Sequence, residues 1–291
     1  MKEHMSLDGL TRKRIYLFRH GEVNYMPSGK VVADPNLVDL TEKGLLQAKL
    51  IDENTKDIYF ERILSSGLPR TIQTGAHMAE RRGIDIEAYP ELREYQWDPK
   101  SFKDNDARKF GYLFESSKSK DAIGGIEEAD EFYNRVTNQL EKIIQEDWSQ
   151  IAIVLHGAVN AAIMCWLNDI DISLASKFDQ DHAALNIIDI DTKEDGVIIR
   201  KSIRRYNIPP DLSDIDSDIR SSWEATASKI ISFNESASRL CPERLWYPES
   251  EIDVPLHKTL TYCYQFFDAS SPYLILGLYH HIYLPIKKWE Y

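Results

Sequence analysis

An arginine, a histidine and a glycine follow one another directly behind a short apolar run, at Arg19, His20 and Gly21 in the stretch YLFRHGEVNY. A glycine behind a strand lets the backbone turn sharply and present its N–H groups. Arginine offers forked donors that suit phosphate oxygens, and histidine is a nucleophile and proton carrier near neutral pH. Any three adjacent residues can arise by accident, so the chemistry of this triplet depends on what the chain places beside it.

Two further stretches offer matching chemistry in comparable contexts. His156 and Gly157 follow the apolar run IAIVL, and Arg70 lies in the first turn of a helix predicted to begin near Pro69. Free N–H groups and the helix dipole favour negative charge at such a position. Two arginines and two histidines that converge at strand ends would form a compact site for a tetrahedral oxyanion, and phosphate is the obvious occupant.

The elements that must position these residues alternate along the chain from Arg14 to Tyr206. Short β-branched runs predict strands, and the longer segments between them show helical spacing. Thr41 suits the N-cap of the first helix and Gly83 the end of the second. The predicted strands are RIYLF, RILSS, IAIVL, ALNIIDI and GVIIRKSIRRY, and the predicted helices are LTEKGLLQAKLIDEN, LPRTIQTGAHMAERRG, EEADEFYNRVTNQLEKIIQ and AVNAAIMCWL.

This alternation predicts an α/β fold, a three-layer α/β/α sandwich around a mostly parallel central sheet. Strands that are apolar on both faces need helices on both sides of the sheet. Ligands bind such sheets at the carboxyl ends of strands. His20 and His156 are therefore expected in the same kind of location.

Five stretches resemble, in order, the motif series of the histidine phosphatase superfamily, the phosphoglycerate mutase-like proteins. They are LFRHGEV, LTEKGLLQA, SSGLPRTIQT, ELRE and IVLHGAV. The resemblance runs from about Arg12 to Asn207. It divides the chain into a predicted histidine phosphatase domain, residues 12–208, and a C-terminal extension, residues 209–291.

The resemblance implies a role for each matching residue. His20 would take the phosphoryl group and become a phosphohistidine, while Arg19, Arg70 and His156 would clamp the phosphoryl oxygens. Glu94, in ELREYQW, would protonate the leaving group and then act as base on the hydrolytic water. The remaining substrate-binding positions implied are Gly21, Asn24 and Gly157. No metal or other cofactor is implied, because the cationic side chains neutralise the phosphoryl charge.

Three alternative functions are compatible with these residues. A phosphomonoester hydrolase is favoured because the segment from Tyr95 to Glu146 is only moderately long and polar. The alternative is a cofactor-dependent phosphotransferase of the phosphoglycerate mutase type, which in the family that the chain resembles generally carries a long, basic insertion over the pocket. Four cations in this segment keep that alternative open: Lys100, Lys103, Arg108 and Lys109. The third alternative is a regulatory protein that binds a phosphorylated ligand, with an aromatic tail that blocks the pocket or docks a partner.

The composition of the chain limits the kinds of partner that it is expected to bind. A net charge of -12 argues against nucleic acid or an anionic membrane, which leaves a small phosphorylated substrate. The N-terminus carries no apolar leader and no tract suits a membrane span, so a cytoplasmic location is expected. The three cysteines are far apart and suggest neither disulfides nor a zinc site.

The extension is rich in aromatic residues, with 13 of the 31 in the chain from Pro209 onward. Such density predicts a folded segment packed on the main domain, with a possible role in forming a homodimer or binding a partner protein. Four histidines outside the motifs are expected to have ordinary surface or packing roles: His182, His257, His280 and His281.

Overall fold

The computed structural model describes residues 10–27, 32–96 and 127–211. Within these residues, six strands form one sheet in the order β3-β2-β4-β1-β5-β6. The strands are β1 (Thr11–Arg19), β2 (Arg62–Ser65), β3 (Ile86–Ala88), β4 (Gln150–Leu155), β5 (Leu185–Thr192) and β6 (Ile198–Ile208). The helices are α1 (Glu42–Asn54), α2 (Pro69–Arg82), α3 (Ala129–Gln145) and α4 (Gly157–Leu167).

The sheet is mostly parallel, which confirms the prediction. β4 pairs in parallel with both β1 and β2, and β2 pairs in parallel with β3. β5 runs antiparallel to β1, and β6 runs antiparallel to β5, so β6 returns to the direction of β1. Short β3 is absent from the predicted strands and extends the sheet beyond β2.

Helices cover both faces of the sheet, as the three-layer prediction requires. In β4, Ile151, Ile153 and Leu155 pack into one apolar cluster with α3 and α4. Ala152 and Val154 pack into a second cluster, which includes Met78 of α2 and Ile51 of α1. Alternate side chains of a strand point to opposite faces. An all-apolar strand such as β4 therefore needs a helical layer on each side.

The predicted helix ends have local causes. Thr41 caps α1, because its Oγ1 accepts a hydrogen bond from the Gly44 backbone N–H at 3.1 Å. Gly83 ends α2 in the left-handed conformation, with φ of 63°. Pro69 begins α2, which places Arg70 in its first turn.

Charged pairs join β5 to its neighbours on the antiparallel side. Asp191 is buried and bonds both Arg12 of β1 and Arg200 of β6. The hydrogen bond from Arg12 is the main cause that lowers the pKa of the Asp191 carboxyl. Asp189, also buried, bonds Arg14 of β1 with an Nε–Oδ1 distance of 2.7 Å. Charge pairing thus joins β5 to both β1 and β6.

Two further predictions concern membrane-spanning helices and the C-terminal extension. Among the described residues, none of the helices has the length and apolar character needed to cross a bilayer. Beyond residue 211 the extension lies outside the described residues, so its folding and the domain boundary at 208 stay predictions.

Candidate active site

The carboxyl ends of β1 and β4 lie side by side and bring the two histidine–glycine pairs together. Arg19 and Leu155 are register partners, and the His20 backbone N–H donates to the Leu155 carbonyl at 2.9 Å. The His20 and His156 ring centroids are 5.3 Å apart, and both side chains are buried. The predicted convergence of the two strand ends is therefore present.

The ring of His20 is held through one nitrogen. Its Nδ1 lies 2.7 Å from the carbonyl oxygen of Gly21. A carbonyl only accepts, so Nδ1 carries the proton of the neutral ring and the lone pair lies on Nε2. Burial lowers the pKa of His20 well below its usual value, and the charges of Arg70 and Arg19 lower it further. The neutral ring with its lone pair on Nε2 is the nucleophilic form.

The backbone behind His20 makes a close contact that only glycine allows. A Cβ at Gly21 would lie 2.7 Å from the carbonyl oxygen of Gly44, in the first turn of α1. A Cβ at Gly44 would meet the Glu22 carbonyl oxygen at a comparably forbidden distance. The Gly21 N–H donates to Thr74 Oγ1 of α2 at 2.9 Å. The turn after His20 is thus fixed against both α1 and α2.

Two buried guanidinium groups flank the histidines. Arg70 donates from Nη1 to the Pro35 carbonyl oxygen at 3.0 Å, and Arg19 donates from Nη1 to the Gln180 carbonyl oxygen. Nothing in the described part of the chain pairs with the buried Nε atom of either arginine. A Cβ at Gly157 would lie 3.4 Å from Arg19 Cζ, so this glycine makes room for the guanidinium. Buried unpaired N–H donors of this kind suit a bound oxyanion.

His156 is held through the opposite nitrogen from His20. Its Nε2 lies 2.8 Å from the hydroxyl oxygen of Ser66, while its Nδ1 is buried and has no partner among the described residues. Burial lowers the pKa of His156 well below its usual value, and the charges of Arg70 and Arg19 add to this effect. Ser66 is a residue that sequence reasoning missed, although it lies inside the quoted stretch SSGLPRTIQT.

Glu94 lies at the first turn of α4. Its Oε1 accepts from the Tyr95 N–H at 3.0 Å, and its Oε2 lies 3.4 Å from the Ala158 N–H. Burial raises the pKa of the Glu94 carboxyl, although Arg70 and Arg19 act to lower it. A carboxyl group that holds its proton beyond the usual range is suited to act as a general acid.

Asn24 is not buried as the histidines and arginines of this group are. It is exposed, and its Oδ1 accepts a hydrogen bond from the Met26 N–H at 2.9 Å. Its side chain lines a surface groove together with Pro27, Val32, Leu37 and Thr41 among others. A role for Asn24 in binding phosphate stays a prediction.

The basic residues between Lys100 and Lys109 lie outside the described residues. In the part that is described, no three His, Cys, Asp or Glu side chains are grouped to hold a metal ion. Metal-independent chemistry stays a prediction.

His182 belongs to the site, contrary to the surface or packing role expected for it. Its ring centroid is 5.8 Å from that of His20. Its Nε2 lies 3.3 Å from Arg19 Nη2. Tyr25 was also missed, and its ring centroid lies 5.9 Å from Arg70 Cζ. Neither residue lies in one of the five motifs that resemble the family, so the sequence carried no signal that could have assigned a role to them.

Comparisons with known proteins agree with this geometry. The model of the histidine phosphatase superfamily (branch 1) matches residues 15–201. Phosphoserine phosphatase 1 of Hydrogenobacter thermophilus is 27% identical over 199 residues, which cover 65% of this chain and 92% of that protein. A probable phosphoglycerate mutase of Enterobacter sp. is 35% identical over only 81 residues, which cover 28% of this chain and 37% of that protein.

One solved structure shows the same fold. The mycobacterial glucosyl-3-phosphoglycerate phosphatase superposes with a TM-score of 0.57 and 20% identity. The match covers 68% of this chain and 99% of that one. The fold predicted from the alternating strands and helices is thereby confirmed.

Proposed function

Because the chain belongs to the histidine phosphatase superfamily (branch 1), we propose that it is a metal-independent phosphomonoester hydrolase that works through a phosphohistidine on His20. One observation carries the proposal. A neutral His20, with its lone pair on Nε2, lies among two buried arginines whose Nε donors are unpaired in the described structure. Such a site combines a nucleophile with donors for the oxygens of a phosphoryl group.

In the first step, Nε2 of His20 attacks phosphorus and forms a P–N bond. The bond between phosphorus and the ester oxygen breaks, and that oxygen takes the proton from the Glu94 carboxyl. Arg19, Arg70 and His156 hold the equatorial oxygens as the group transfers. The raised pKa of Glu94 supports this assignment, because such a carboxyl retains the proton that the leaving group needs.

In the second step, water attacks the phosphorus of the phosphohistidine. Glu94, now ionised, accepts a proton from that water. The P–N bond breaks, inorganic phosphate leaves, and His20 recovers its neutral form with the lone pair on Nε2. Each group thus ends the cycle in the protonation state in which it began.

Hydrolysis is favoured over phosphoryl transfer between positions of one substrate. The relative named as a phosphatase matches over 92% of its length, whereas the relative named as a mutase matches over 37%. The substrate is a small phosphomonoester, and phosphoserine and 3-phosphoglycerate are the first candidates to test. We further propose a cytoplasmic location and a role for residues 209–291 in contacting a second copy or a partner protein.

A substrate panel with product analysis tests the proposal. The wild-type protein should release inorganic phosphate from phosphoserine, 3-phosphoglycerate or another member of a panel of small phosphomonoesters. Conversion of 3-phosphoglycerate into 2-phosphoglycerate without free phosphate would show a mutase instead. Tight phosphate binding without turnover of any substrate in the panel would favour the regulatory alternative and refute the hydrolase.

A further inference from the structure

His182 is attached to the nucleophile by the backbone on either side of it. The Ala183 N–H donates to the His20 carbonyl oxygen at 3.0 Å, and the Arg19 N–H donates to the Ala184 carbonyl oxygen at 3.1 Å. Ala183 adopts a left-handed conformation with φ of 62°, which non-glycine residues rarely do. The chain therefore accepts a strained residue in order to bring this segment against the end of β1.

The segment 179–184, here called the His182 segment, is held at several points. Asp181 and Asn207 make two hydrogen bonds, Asp181 N–H to Asn207 Oδ1 at 2.7 Å and Asn207 Nδ2 to Asp181 Oδ2 at 2.9 Å. Gln180 Oε1 accepts from Asn186 Nδ2 at 2.7 Å. These bonds tie the segment to β5 and β6, so the position of His182 is set by the sheet.

The contact between His182 and Arg19 has only one chemical form. A guanidinium has donors and no acceptor, so His182 Nε2, 3.3 Å from Arg19 Nη2, must be the accepting atom. The ring is then neutral and carries its proton on Nδ1. The same segment accepts from the other terminal nitrogen of Arg19, because Nη1 donates to the Gln180 carbonyl oxygen. Both ends of the guanidinium are therefore held by residues two apart in the chain.

We propose that His182 is a positioning residue for Arg19. Its Nε2 holds Nη2 while the Gln180 carbonyl holds Nη1, which leaves Arg19 Nε–H, buried and unpaired in the described residues, for an oxyanion bound beside His20. Catalysis by a preorganised donor is more effective because the donor need not reorient when charge develops. The inference rests on the proposed function for its meaning, since the oxyanion is the phosphoryl group.

Two variants of similar size test whether His182 acts as a hydrogen-bond acceptor or only fills space. His182→Gln keeps an accepting oxygen that cannot become a cation, whereas His182→Leu fills the position without an acceptor. Inorganic sulfate serves as the probe, with its affinity measured by isothermal titration calorimetry. His182→Leu should weaken sulfate binding about tenfold, in keeping with one lost hydrogen bond to a charged group, while His182→Gln should stay within about twofold of wild type.

Other outcomes overturn the proposal. Unchanged affinity in His182→Leu would leave His182 with a packing role alone. Equal losses in both variants would mean that the imidazole contacts the anion itself as a cation or proton donor. A double-mutant cycle with Arg19→Lys adds a readout that a packing role would not move. Lysine has no second terminal nitrogen, so His182→Leu should cost little further affinity in that background, and fully additive losses would refute the link.

A spectroscopic measurement is independent of both binding and turnover. Long-range ¹H–¹⁵N correlation spectra of the wild-type protein should show His182 as the Nδ1–H tautomer. The Nε2–H tautomer or a charged ring at neutral pH would refute the proposal, even if the protein bound no sulfate. If the tautomer and the Gln–Leu difference are as expected but no phosphomonoester is hydrolysed, the proposed function fails and the positioning of Arg19 stands.

Discussion

The two strand–histidine–glycine units of the site look alike in sequence but hold their rings in opposite ways. After β1, His20 is bound through Nδ1 to the carbonyl oxygen of its own neighbour, Gly21. After β4, His156 is bound through Nε2 to a hydroxyl on another element, that of Ser66. One unit therefore presents Nε2, and the other presents Nδ1.

The backbone beyond each histidine also differs. His156 is the N-cap residue of α4, so its glycine is already the first residue of a helix. Gly21 instead lies outside any helix, and α1 begins only after its cap residue, Thr41. At the start of a helix the direction of the main-chain carbonyl groups is fixed. Outside a helix, the Gly21 carbonyl can turn back toward the ring of His20. This difference suits His20 to the nucleophilic role and His156 to holding an oxygen.

The largest effect should come from exchanging each histidine for alanine. His20→Ala should lower kcat by about 10⁴-fold or more, because the covalent route is lost. His156→Ala should lower it by about 10²- to 10³-fold, because a charge-stabilising contact is lost while the nucleophile remains. Quenching in alkali, in which the P–N bond survives, after exposure to a ³²P-labelled substrate should trap phosphoenzyme in His156→Ala but not in His20→Ala.

The matched control is His77→Ala, which alters a half-buried histidine farther along α2 and should leave turnover unchanged. The trapped phosphate should sit on Nε2, since Nδ1 of His20 donates to Gly21. Label on Nδ1, or label retained by His20→Ala, would contradict the assignment of Nε2 of His20 as the nucleophile.

Glu94 lies next to the second unit, that of His156, because its Oε2 is 3.4 Å from the Ala158 N–H in the first turn of α4. Glu94→Gln should slow an alkyl phosphomonoester by about 10²- to 10³-fold. It should slow p-nitrophenyl phosphate much less, because that leaving group departs without a proton. Glu91→Gln, an exposed carboxylate nearby, is the control. Equal losses on both substrates would give the role of acid to another group.

The pH profile follows from the two pKa shifts. Because the pKa of His20 is lowered, its neutral form persists below 6.5, and activity falls on the acid side only once the ring gains a proton. Because the pKa of Glu94 is raised above 4.5, its acid form persists to higher pH, and activity on alkyl esters falls as that proton is lost. Measurement of kcat/KM against pH should show both limbs in wild type and no Glu94 limb in Glu94→Gln.

The smallest effect should come from Ser66, the side chain that orients His156. Ser66→Ala should lower kcat/KM by roughly threefold to tenfold, the range expected for one neutral hydrogen bond. Ser65→Ala is the control, since that buried hydroxyl accepts from the Gly67 N–H at 3.0 Å and does not bond His156. Equal effects of the two substitutions would mean that packing, not the hydroxyl, orients His156. No comparable substitution exists for His20, whose partner is a main-chain carbonyl.

Much of the fold was predictable because it depends on local patterns. The apolar run of β4 and the caps of α1 and α2 lie within a few residues of the features they explain. β3 was not predictable, since three residues with an acidic one in the middle form a strand only by pairing with β2, where Ile63 faces Ile86. The antiparallel direction of β5 also depends on how the chain returns to the sheet, for which the residues carry no signal.

The same division applies to the site. Arg19, His20 and Glu94 could be predicted because each lies in a recognisable motif. Ser66 and His182 could not, because their contacts join positions 90 and 163 residues apart in the chain. A pattern of neighbours along the sequence does not show which distant hydroxyl or imidazole completes a hydrogen bond.

The contact between Gly21 and Gly44 limits how this protein can diversify. Its atoms are main-chain atoms on both sides, so a side chain at either position meets an obstacle that substitution elsewhere cannot remove. Descendants of this chain must therefore keep glycine at both positions and with it the turn that holds His20. Change is easier at exposed positions such as Asn24 in the surface groove, where a side chain can vary in size and charge without meeting main-chain atoms of another element.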